Sequence, residues 1–179
     1  MKLISKLYNR PFNFKAGDAI LFFLFLTSIC LAVWAVNIYR LTVVDTSLLF
    51  IVSAIGTVVA FFAIHFLIKS SYSKLWTLFI SIVIGSGTFY FGLLFLNQTF
   101  SDKEIIAEDF QIIKIGTLGR SRPTRCFQPY AIIDFHGTEK QLVFYCDFAE
   151  TMKKSTKVGL VYSKGLFGFN IIKSKQLVR

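Results

Sequence analysis

Leu75 to Leu96, LWTLFISIVIGSGTFYFGLLFL, contains no charged residue. Wound as a helix rising 1.5 Å per residue, such a run covers a hydrocarbon core roughly 30 Å thick. Two earlier stretches repeat the pattern. Ala19 to Tyr39, AILFFLFLTSICLAVWAVNIY, is uncharged, and Thr46 to Ile68, TSLLFIVSAIGTVVAFFAIHFLI, is interrupted only by His65 near its end. Helices that are apolar all round have no polar face to show to water. The sequence therefore predicts three membrane-spanning helices, 19–39, 46–68 and 75–96, with the lipid bilayer as first partner. His65 lies one turn from Lys69, near the inner headgroups, and is read as an interfacial histidine.

The composition agrees. Of 179 residues, 54% are hydrophobic, 17% aromatic and only 17% charged, which excludes a free-standing soluble enzyme and a disordered chain. Twenty Lys/Arg against ten Asp/Glu give a formal charge of +10, gathered at the ends of the apolar runs and in the C-terminal half.

Residues 1–18 form a basic leader with Lys2, Lys6, Arg10 and Lys15. The apolar run behind it exceeds the usual signal-peptide core and is followed by no clean small-x-small site, so the first span is read as retained. The short flanks set the orientation, because cytoplasmic segments hold the excess of Lys and Arg. After span three the chain turns acidic, with Asp102, Glu104, Glu108 and Asp109 against Lys103. These charges predict a cytoplasmic N-terminus and a C-terminal domain on the periplasmic or extracellular side of the cytoplasmic (inner) membrane. Trp34 and Tyr39 then fall at the outer headgroups, Tyr72 and Trp76 at the inner ones.

Within the spans, Thr77, Ser81, Gly85, Thr88 and Gly92 share one helical face, and Ser53, Gly56, Ala60 and Ala63 repeat the device. Small residues let helix backbones approach in lipid, where no hydrophobic gain draws helices together. The two stripes are expected to pack on each other or to form an oligomer seam or a contact with another membrane protein. A pore lined by several copies of the Thr77 face is the alternative, although intramembrane acids and bases are all but missing.

From Asn97 the pattern changes to short alternating segments, giving a second unit at 98–179 after the helical one at 19–97. Strands are expected at Phe110–Thr117, Tyr130–His136, Lys140–Cys146, Val158–Ser163 and Leu166–Ile172, with a hairpin turn around Gly137 and Thr138 and a second turn at Ser163–Gly165. Asp147–Lys154 is expected to add a helical turn or two. The predicted fold class is thus an integral membrane α-helical unit of three spans plus a small β-rich domain, about five strands curled into a sheet or barrel of the OB or SH3-like kind.

Two basic clusters stand out: Arg120, Arg122 and Arg125 in one loop, and Lys153, Lys154 and Lys157 in another. They are candidates for contact with an acidic partner or anionic lipid, or they simply solvate the surface. Nucleic acid is not expected, since basic charge alone identifies no reader. Cys126 and Cys146 are a candidate disulfide if the domain faces an oxidising compartment. Cys30, in mid-span, is read as a small apolar filler.

No catalytic pattern emerges. The two histidines stand apart from any nucleophile, zinc-ligand spacings are absent, and there is no phosphate loop or dinucleotide fingerprint. The sequence therefore points to a non-enzymatic protein without cofactor, metal or small-molecule substrate. In outline, three spans followed by a small sheet domain resemble accessory and immunity-type bacterial membrane proteins. The expectation is a membrane-anchored β domain for protein recognition in envelope sensing, defence or assembly, with a channel subunit or an immunity protein against a membrane-directed toxin as alternatives.

Overall fold

The computed structural model describes residues 16–67, 73–119 and 127–178. The chain forms three long helices, α1 (Ala16–Leu41), α2 (Thr46–Leu67) and α3 (Lys74–Thr99), each long and apolar enough to cross a membrane. Large side chains such as Phe23, Phe50, Phe66 and Leu75 stand outward, 67%, 72%, 68% and 80% exposed, and form an extended apolar surface. α3 opens at Ser73, whose hydroxyl accepts the Trp76 N–H.

α3 is the central helix, packed against both α1 and α2. Leu21, Ile64 and Ile80 cluster at one end of the bundle. At the other, Ala35, Ile38, Val44, Leu49 and Leu94 cluster with Phe169 from the sheet domain. The end of α1, the start of α2 and the end of α3 thus meet where the second unit sits.

That unit is a six-stranded, wholly antiparallel and nearly closed barrel-like sheet in the order β1-β6-β5-β2-β3-β4. The strands are β1 (Thr42–Val43), β2 (Ile106–Thr117), β3 (Pro129–Phe135), β4 (Thr138–Val143), β5 (Lys157–Lys164) and β6 (Asn170–Val178). β2 lets the sheet curl: its first half pairs with β5, its second with β3, and the register shifts between Ile112 and Lys114 where the partners change. Alternate residues fill the interior. Ala131, Ile133 and Phe135 from β3, Leu142 from β4 and Phe144 just beyond it, and Val158, Leu160 and Tyr162 from β5 surround Phe110. A 3-10 turn (Cys146–Phe148) and a short helix α4 (Ala149–Lys153) plug one end with Met152, which is fully buried.

Three expectations are corrected. The sheet has six strands, because Thr42 and Val43 in the loop between α1 and α2 pair with Ile171 and Asn170 of β6. The last strand begins at Asn170 and not Leu166: Gly165 to Phe169 is a turn, closed by the Gly165 N–H on the Phe169 carbonyl at 2.9 Å, with Gly168 at φ 81. The β3–β4 turn is centred on His136 and Gly137, at φ 50 and 86, so Phe135 faces Thr138, and β4 ends at Val143, short of Cys146. The Asp134 carboxylate accepts the Gly137 N–H at 2.6 Å and fixes that turn.

Candidate functional site

The junction of bundle and barrel holds the least ordinary chemistry. Lys140 lies on β4 in register with Leu142, so the strand's alternation turns it inward, and it is only 7% exposed. Its Nζ donates to the Tyr39 carbonyl at 2.9 Å and the Thr42 carbonyl at 2.5 Å, and lies 4.6 Å from the centre of the Tyr39 ring. Carbonyls left over at the end of α1 thus receive a cation, as a helix C-terminus favours. Among the described residues no carboxylate pairs with this lysine. Burial pushes its pKa down to about 8, and the charge of Lys175 pushes the same way. Lys175 itself, on β6, donates to the Val143 carbonyl at 2.5 Å and sits over the Phe144 ring. Between them the two lysines link β4 to β1 and β6, across the seam between the two edges of the sheet.

A second tie runs from α3. Asn97 is fully buried; its Nδ2 donates to the Phe169 carbonyl at 3.2 Å and its Oδ1 accepts the Phe167 N–H at 3.0 Å. Gly165 lies so close that a Cβ there would collide with the Asn97 amide, hence glycine. With β1–β6 pairing as the third tie, the barrel is seated on the helices.

At the same end of the barrel, Glu108 Oε2 accepts the Tyr162 hydroxyl at 3.0 Å and pairs with His136 Nε2 at 3.3 Å. Burial, then the Glu108 hydrogen bond and charge, push the Tyr162 pKa up. His136 packs edge-on against Phe110 and Phe135. The cluster braces the rim. Among the described residues no group of three His, Cys, Asp or Glu is placed to hold a metal ion. Two surface depressions of about 290 and 270 Å³ lie nearby. One is over Glu108, Asp109, Gly159 and Gln176; the other is an apolar groove between Tyr39, Leu49, Phe50 and Tyr90, with Thr46 and Ser53.

The small-residue stripes divide. A Cβ on Gly85 would collide with the Gly56 carbonyl, so α2 and α3 touch backbone to backbone there. Thr77 and Ser81 are buried and return their hydroxyls to their own helix, on Ser73 and Thr77 carbonyls. Ser53 and Ala60 are half-buried, Ala63 and Thr88 are exposed, and a Cβ on Gly92 would meet nothing within 4 Å. Gly87, which the stripes did not include, packs against Ser28 of α1, whose hydroxyl donates to the Val83 carbonyl at 2.7 Å. Two glycines two residues apart face opposite sides of a helix, and here each admits a different neighbour.

Lys153, Lys154 and Lys157 are exposed, and Lys153 pairs with Glu150 at 2.7 Å. Arg120, Arg122, Arg125 and Cys126 lie outside the described residues, as do Lys69, Tyr72 and residues 1–15. Cys146 is disulfide-bonded and Cys30 is free and exposed. Lys140 and Asn97 do not stand out in the sequence. The signal for Lys140 is its inward parity with Leu142; for Asn97 it is a lone amide at the end of an apolar run.

Compared with known proteins, the chain matches no family, no curated protein and no solved structure.

Proposed function

We propose that this chain is a non-enzymatic integral membrane protein that holds its barrel at the outer face of the cytoplasmic membrane to recognise a protein partner. The observation that carries the reading is the seating of the barrel on the helices through Lys140, Asn97 and the β1–β6 pair. A fixed pose suits a module that presents one surface in a membrane complex. If the three apolar helices each cross the bilayer, the barrel would lie on the side opposite the basic leader, and a disulfide at Cys146 is consistent with an oxidising compartment there.

Charge supports a surface at the far end. Asp102, Glu104, Glu108, Asp109, Asp134 and Glu139 belong to the bundle end of the barrel, while Lys114, Lys153, Lys154 and Lys157 belong to the remote half. Tyr145 and Phe148, a few residues before Lys153 in the chain, are 76% and 42% exposed, and exposed rings are favoured at protein interfaces. A pore is less well supported, since Thr77, Ser81 and Gly85 are occupied within the chain's own packing.

The test is copurification from native membranes of wild type and of a Lys153→Glu, Lys154→Glu, Lys157→Glu variant. Loss of a companion protein from a variant that still inserts and folds is the expected result. A variant that keeps every companion overturns the assigned surface.

A further inference from the structure

The turn between β5 and β6 has an unusual balance. Leu166 and Phe167 at its tip are 54% and 45% exposed, yet every backbone N–H from Gly165 to Gly168 is satisfied inside the protein. Gly165 donates to Phe169 O, Leu166 to Asn97 O at 3.4 Å, Phe167 to Asn97 Oδ1 and Gly168 to Gly165 O at 2.9 Å. In water an exposed turn has no need of this, because solvent serves its donors. Where solvent is scarce, irregular backbone is tolerated only when its polar groups are satisfied internally.

The place fits. Asn97 follows the apolar stretch Leu75–Leu96 in the last turn of α3, so the turn it holds lies beside the end of that helix. Phe169, at the foot of the turn, packs into the apolar cluster shared by all three helices. Lys164 and Lys103 stand exposed nearby, where lipid phosphates would meet them, and Phe100, 60% exposed, continues the apolar surface.

We propose that the Gly165–Phe169 turn is a lipid-contact site of the barrel, its Leu166 and Phe167 side chains entering the interfacial layer of the bilayer that the helices cross. This rests on the membrane-spanning reading of the helices. Asn97 supplies the hydrogen bonds that let the turn leave water. The barrel is held by its own lipid contact as well as by the bundle, which fixes its tilt and directs the lysine-rich end away from the membrane.

Single-tryptophan versions of the full chain in phosphatidylcholine/phosphatidylglycerol vesicles test this. One carries Phe167→Trp with Trp34→Phe and Trp76→Phe; a second carries Leu166→Trp in the same background, in case the first fails to fold. A third keeps only Trp34, which is 55% exposed on α1, as the reporter of the span. Emission from the turn is expected to be about halved by lipids brominated near the headgroup end of the chains, since a side chain about 5–10 Å below the interface is within their reach. Aqueous iodide is expected to have little effect. The proposal is overturned if iodide quenches the turn and bromolipid does not while Trp34 is lipid-quenched, or if the turn is shielded from both quenchers, as a contact between copies would produce. If bromolipid leaves Trp34 untouched as well, the spanning reading fails first and the lipid contact with it.

Discussion

Lys140→Met isolates the cost of a buried charge. In the folded protein burial holds the Lys140 pKa near about 8 against an ordinary value of 10.5, a displacement equal to roughly 3 kcal/mol. The sign follows from proton counting. As pH rises the native state releases this proton first, so between the two pKa values the unfolded chain binds more protons and stability increases with pH. Raising pH from about 7 to about 9 should add about 1 kcal/mol through this group alone, and the full amount appears only above about pH 10.5. Below neutrality the group contributes no slope.

Against this cost stand the hydrogen bonds to Tyr39 and Thr42, which the amine can keep in part in either protonation state and which are lost in Lys140→Met. Methionine keeps most of the stem and removes both terms, so its neutral-pH stability should stay within about 1–2 kcal/mol of wild type. Alanine also leaves a void and should cost about 2–4 kcal/mol. Reversible denaturation in detergent, followed by near-ultraviolet dichroism of the barrel and run in a Cys30→Ser background to prevent thiolate exchange, measures both. The reasoning is refuted if Lys140→Met gains stability between about pH 7 and 9 as wild type does, because the slope then belongs to other groups.

Further perturbations probe the other contacts. Gly85→Leu forces α2 and α3 apart at the Gly56 backbone and should cost several kcal/mol, on the order of 3, seen as loss of the compact form in detergent gel filtration; Gly92→Leu, facing open space, should be tolerated. Asn97→Ala strands the Phe167 N–H and should loosen the barrel by about 1–3 kcal/mol, detected as faster hydrogen exchange in residues 165–169 with the remainder of β5 unchanged. Ser28→Ala removes a hydroxyl bonded to the Val83 carbonyl and should cost less, about 0.5–1.5 kcal/mol in unfolding titrations. Glu108→Gln removes the charge that helps hold the Tyr162 pKa up, so phenolate absorbance should appear at lower pH than in wild type; an unmoved titration would place the cause wholly in burial.

The three helices are legible because twenty or so uninterrupted apolar residues carry their meaning without a partner. Alternation exposes the cores of β3, β4 and β5, and Gly137 marks the hairpin, since a glycine there supplies positive φ. The turn at Gly165–Phe169 misleads for a matching reason: Leu166, Phe167 and Phe169 have strand-like apolarity, and what diverts them is Asn97, some seventy residues earlier. The sixth strand is hidden because two residues, Thr42 and Val43, have no period and become a strand only when β6 is beside them.

Contiguous residues are enough to establish the apolar rods, their odd number and the existence of a sheet unit beyond them. The folded chain was needed to learn which glycine faces which helix, that Lys140 is an inward cation on carbonyls about a hundred residues away, and that barrel and bundle are one seated assembly. Hydrophobic burial is written along the chain as periodicity, whereas pairing of distant polar groups depends on which surfaces meet, and no local pattern records that.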